Sequence, residues 1–154
     1  MKNLFLIALM TLFVGCEYEG DSDKSEKSTK VEYLSSAGQD SSLPFSEAVR
    51  VGNTLYLSGQ IGVIPGTTSV VEGGMAAEAR QTMDNIKATL ERYGSSLDQV
   101  VKCTVMIDDI SQWGDFNTVY VEYFPGHKPA RSAFGADGLA LGAALEVECI
   151  ATVL

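Results

Sequence analysis

Two charged side chains stand in the stretch "KPARSAFGADGLALGAALEVECIATVL" where a plain hydrophobic core would carry none. Arg131 sits among small and apolar residues, and Glu146 interrupts a strand-like run fifteen positions later. The two types suit one chemistry. A planar guanidinium grips a carboxylate through two parallel hydrogen bonds, which fixes orientation as well as place; lysine would supply the charge without the fork. A partly shielded carboxylate can orient a water and take its proton as a general base. Each residue also has a plainer reading. Strand periodicity puts Glu146, Glu148, Ile150 and Thr152 on one face and Leu145, Val147, Cys149, Ala151 and Val153 on the other, so both glutamates could simply be solvated. A lone arginine is most often a surface residue or half of a structural ion pair.

Other chemistry is sparse. His127, in "FPGHKPARS", is the single histidine, which argues against a multi-histidine metal site and reads as a loop residue. No Ser-His-Asp arrangement can be built around it and the serine of "SGQ". The three cysteines, Cys16, Cys103 and Cys149, show no CxxC pairing and point neither to zinc nor to a disulfide-dense scaffold. Cys103 and Cys149 read as buried thiols packed as small hydrophobes; an oxidising compartment would permit a disulfide, which sequence alone does not decide. A net charge of −9 argues against a nucleic-acid or anionic-membrane surface.

These groups must be positioned by a single domain, since 154 residues bury one real core and not two. The start is set apart from it. "MKNLFLIALMTLFVGC" carries Lys2, an apolar run from Leu4 to Val14, then Gly15 and Cys16, the pattern of a signal peptide over 1–15 and too short for a membrane span. "LFVGC" resembles a bacterial lipobox, with Phe13 where leucine is usual, which predicts lipidation of Cys16. Residues 17–30, "EYEGDSDKSEKSTK", lack aliphatic side chains and read as a disordered tether. The expectation is a domain over 31–154, exported and held on the periplasmic side or cell surface of a bacterial membrane by its lipid alone.

Within the domain, "VEYLSS", "SEAVRVG" and "TLYLSGQIGV" read as strands, with a tight turn at Gly52–Asn53. From Met75 to Tyr93 the period becomes helical, with Ala76, Ala79, Met83, Ile86, Leu90 and Tyr93 on one stripe and Gly94 as a C-terminal cap. "QVVKCTVMI" reads as a strand and Ser111 to Phe124 as a second helix, with Trp113, Phe116, Tyr120 and Tyr123 at core spacing. "ARSAFGA" and "ALEVECIATV" close the chain as strands. The order β-β-β-α-β-α-β-β predicts an α+β fold, a mixed sheet with two helices on one face. Nothing is left in the chain to cover the other face, so self-association is expected.

Taken together, "LPFSEAVRVGNTLYLSGQIGV", "ARQTMDNIKATLERYGSSLDQVVKCTV", "FNTVYVEYF", "KPARSAF" and "LEVECIA" resemble the RidA/YjgF family of enamine/imine deaminases, from about Leu43 to Ala151. The resemblance implies a chorismate-mutase-like fold, a homotrimer and a pocket at each subunit interface. It implies hydrolysis of imines derived from amino acids to 2-keto acids and ammonia, without metal or cofactor. By the same resemblance, Arg131 binds the substrate carboxylate and Glu146 positions the hydrolytic water. Phe45, Ser58, Gly59, Asn117 and Ala133 line the pocket. Phe45 stands where active members usually have tyrosine, and Ala133 where cysteine is frequent. A small-carboxylate-binding module with little turnover is the alternative, and an endoribonuclease, an activity attributed to parts of the family, is a weaker one.

Overall fold

A computed structural model describes residues 29–37 and 42–154. The signal-peptide and Cys16 expectations, and most of the tether, lie outside the described residues. The eight main elements follow the expected order: β1 (Val31–Leu34), β2 (Ala48–Val51), β3 (Thr54–Leu57), α1 (Gly74–Arg92), β4 (Val100–Ile107), α2 (Trp113–Tyr123), β5 (Ala130–Gly135) and β6 (Leu145–Thr152). The strands form one mixed sheet in the order β1-β2-β3-β6-β4-β5, antiparallel throughout except for the parallel β4–β5 pair. A parallel neighbour needs a crossover, and α2 supplies it.

Both helices cover one face. There the residues Leu55, Cys103, Val105, Ile107, Leu145, Val147 and Ala151 pack under Ala79, Met83, Ile86, Leu90 and Phe116, all fully buried. The α1 stripe is turned slightly from the expected one: Met75, Glu78 and Thr82 are buried, whereas Ala76 is exposed. A tight C-terminal cap ends the helix, with Ser95 N–H donating to the Leu90 carbonyl and Gly94 N–H to that of Glu91. That geometry requires the left-handed backbone of Gly94, at φ +79°.

Among the described residues, the opposite face carries no helix. One cross-strand row on it runs Tyr33, Val49, Tyr56, Ile150, Lys102, Ala130, and another runs Glu146, Met106, Phe134. Tyr33, Tyr56 and Phe134 are largely exposed there, an apolar surface of the kind that marks an interaction site.

Two expectations are corrected. The run "TLYLSGQIGV" is not one strand: Tyr56 pairs with Ile150 but Gln60 bridges Val147, so the register slips by one residue at Ser58–Gly59. This is a bulge, which re-aims side chains locally. Cys103 and Cys149 are not free thiols. They oppose each other on β4 and β6, with Cα atoms 4.2 Å apart, and form a disulfide.

Candidate active site

Glu146 lies on the bare face of β6, half-buried, while Glu148 two residues on is exposed. The difference comes from the bulge, which brings Gly59 against the Glu146 side chain. A Cβ built on Gly59 would fall 1.7 Å from Glu146 Oε1 and 2.7 Å from its Cδ. The glycine is needed for space, since its backbone is outside the left-handed region. The bulge is tied down on both sides. Ser58 donates its hydroxyl to the Ser46 carbonyl (2.7 Å) and its N–H to that of Glu47 (3.1 Å), which fixes the segment carrying Phe45 beside it. Beyond Gly59, the Asn85 amide of α1 donates to the carbonyls of Ile61 and Val63 (3.0 and 2.9 Å). Phe45 itself is more than half exposed.

Glu47, next to Ser46, anchors β2 to the end of α1. Its carboxylate accepts from the Tyr93 hydroxyl (2.7 Å), from Thr89 (3.2 Å) and from Arg92. Burial pushes its pKa up, but the Tyr93 hydrogen bond and the Arg92 and Thr89 contacts outweigh it and hold the group below the usual carboxylate value.

Arg131 lies on the other, helix-covered face, in register with Cys103 on the edge strand β5. Its guanidinium sits over three rings of α2: 4.6 Å from the centroid of Tyr120, 5.7 Å from Phe116 and 5.8 Å from Trp113. Cation–π attraction holds it there without a counter-charge. Among the described residues, the ion pairs join Lys30 to Glu32, Arg80 to Glu122 and Arg92 to Glu47, and Arg131 takes part in none. Asn117 stands one turn from Trp113 and one from Tyr120 on the same helix, half-buried. Ala133 follows Arg131 on the same face, packed at the core's edge. His127 is exposed in the loop before β5.

One chain therefore does not bring Arg131 and Glu146 together. Glu146 pairs with Met106 and Met106 with Phe134, so Arg131 is two strands across and three residues along, about 10 Å each way by strand spacing, and on the opposite face. The structure sets the candidate residues in two separate groups: Glu146 beside Gly59 and the Ser58 bulge, and Arg131 over the rings of α2, the helix that also carries Asn117, with Ala133 two residues on along β5. The rings were legible only as core. Phe116 and Tyr120 are core, yet Trp113 is 46% exposed and all three carry the guanidinium. The available signal was their spacing together with an arginine on the neighbouring strand.

The profile of the endoribonuclease L-PSP family matches residues 37–153. The chain belongs to that family, also called RidA/YjgF. Among its curated relatives, yeast Protein HMF1 (Saccharomyces cerevisiae) is 47% identical over 107 residues, spanning 70% of this chain and 82% of that one. The mouse (Mus musculus) 2-iminobutanoate/2-iminopropanoate deaminase is 40% identical over 108 residues, spanning 70% of this chain and 80% of the enzyme. Among solved structures, RidA from an Antarctic Psychrobacter superposes with a TM-score of 0.69 at 36% identity, covering 82% of this chain and 99% of that one. The six-stranded sheet with two helices is the fold shared by this RidA/YjgF family.

Proposed function

We propose that the chain is a lipid-anchored deaminase that hydrolyses 2-imino acids to 2-keto acids and ammonia at a site shared by two subunits of a homotrimer. The observation that carries this is Arg131: a half-buried guanidinium, held over aromatic rings, with no ion-pair partner among the described residues. A cation so placed is kept for an anionic ligand, and its fork fits a carboxylate. Several relatives are named imine deaminases, which supports the same substrate class.

The bare sheet face and the split pair support self-association, and three copies are what the family resemblance implies. Packing that face against a second copy buries Tyr33, Tyr56 and Phe134 and can set the Glu146 half-site of one subunit beside the Arg131 half-site of another. Arg131 then binds the carboxylate of the imino acid. The iminium carbon is already electrophilic, so catalysis is chiefly the placing of one water against it. Glu146 takes a proton from that water as its oxygen bonds to the carbon. It returns that proton to nitrogen and then accepts the remaining hydroxyl proton as the carbon–nitrogen bond breaks, so that ammonia leaves and the carbonyl forms. Gly59 and Ser58 shape the glutamate's position, and Phe45 supplies an aromatic wall without the tyrosine hydroxyl. A net charge of −9, with Glu146 and Glu148 on the bare face, runs against an RNA substrate.

The test is direct. An amino-acid oxidase generates imines from alanine, leucine or serine, and semicarbazide traps what survives. Accelerated keto-acid and ammonia release supports the deaminase. Tight binding of a 2-keto acid with no acceleration would establish the binding module instead. Cys16→Ser is expected to abolish incorporation of radiolabelled palmitate, because acylation needs the thiol; equal labelling would reject the anchor.

A further inference from the structure

Tyr120 is 5% exposed, and its hydroxyl is buried with no hydrogen-bond partner among the described residues. Buried polar groups are nearly always satisfied, so an orphan in a native core calls for an explanation. Phenylalanine would fill the same place without it. The ring is also the nearest of the three beneath Arg131, at 4.6 Å, and is fixed between Phe116 and Phe124, whose centroids lie 5.3 and 4.9 Å away. A platform wedged in this way cannot follow a wandering side chain; the side chain must follow it. The guanidinium above has five N–H donors, of which a carboxylate takes two.

We propose that Tyr120 is the positioning residue for Arg131: its ring supports the guanidinium, and its hydroxyl accepts a guanidinium N–H when a carboxylate occupies the fork. This rests on Arg131 being the carboxylate site. The hydroxyl belongs to the ring nearest the guanidinium and is buried with it in the aromatic platform. It stays protonated and neutral at physiological pH, because burial pushes its pKa up to about 12 against the opposing pull of Arg131. A neutral phenol beside a guanidinium accepts through oxygen without competing with the substrate's charge.

The experiment uses the full chain with 2-oxobutanoate as the probe, titrated by calorimetry against wild type, Tyr120→Phe, Arg131→Lys and the double variant, with a thermal melt of each. Tyr120→Phe removes an unsatisfied buried group, so it should melt at or above wild type and yet bind about 5–10-fold more weakly, the loss of one hydrogen bond. In the Arg131→Lys background the same change should cost less than about two-fold, since residues acting through one another are not additive. KM for the imine should rise with the dissociation constant while kcat changes less. Wild-type affinity in Tyr120→Phe would overturn the proposal, as would an equal fold-loss in both backgrounds. Unchanged binding in Arg131→Lys would overturn both this assignment and the carboxylate site on which it rests.

Discussion

Gly59→Ala separates the positioning of Glu146 from the stability of the fold. The added methyl would stand 1.7 Å from Oε1, 2.7 Å from Cδ and 3.0 Å from Cγ of Glu146, so the carboxyl must move until ordinary contact of about 3.5 Å is restored. That is a displacement of roughly 1–2 Å at the carboxylate oxygen, and misplacement of a catalytic group on this scale costs about 100-fold in rate. The fold should hardly notice. The obstructing atoms are the end of a flexible side chain, whose departure from its rotamer costs about 0.5–1.5 kcal/mol. Replacing glycine at a compatible φ returns about 0.4–1 kcal/mol by restricting the unfolded chain. These terms nearly cancel, and the melting temperature should move by less than about 4 °C. The assay is kcat and KM for imine hydrolysis, with a melt on the same samples. A drop in kcat with KM and the melt preserved is the expected result. Wild-type kcat in Gly59→Ala would show that Glu146 does not act from the position the bulge gives it.

Further outcomes follow from the same structure. Glu47 has a folded pKa below that of an ordinary glutamate, so its contribution to stability is present above the ordinary value and is lost as pH falls through the folded one. Glu47→Gln should therefore melt lower than wild type at pH 7, by about 1–3 kcal/mol for a charge-assisted contact, and the gap should narrow as the pH is lowered through the carboxylate range; a gap independent of pH would refute it. The Cys103–Cys149 bridge closes a 46-residue separation, and cross-links of that span contribute about 2–4 kcal/mol. Reductant or Cys103→Ala with Cys149→Ala should lower the melting temperature by roughly 10 °C, and thiol titration of unreduced, denatured protein should find both cysteines unreactive. Free thiols at full stability would contradict the bridge.

Much of the fold was legible because its signals are local. The change of period from two to helical at Met75, the left-handed glycine at Gly94 and the crossover implied by a helix between strands all follow from neighbours in the chain. The bulge was not legible: "TLYLSGQIGV" alternates well enough to pass for one strand, and the slip at Ser58–Gly59 appears only against β6. The disulfide is likewise a matter of register, since two strand cysteines bond only if they fall opposite each other on one face. Site residue types could be named from the motif resemblance, but their relation could not. Whether Arg131 and Glu146 share a face depends on which strand each joins and with what offset, and no spacing of fifteen residues fixes that. The α2 aromatics served two purposes at once, and core spacing hid the second.

The central claim is that Arg131 of one subunit and Glu146 of another make one imine-hydrolysing site, and subunit mixing tests it most directly. Arg131→Lys and Glu146→Gln homotrimers should each be nearly inactive. Unfolded together in equal amounts and reassembled at random, they should recover about a quarter of wild-type activity per site, because in a symmetric ring that fraction of interfaces joins an intact arginine to an intact glutamate. Activity no higher than that of the two separate variants, in trimers shown by mass spectrometry to be mixed, would contradict the shared site.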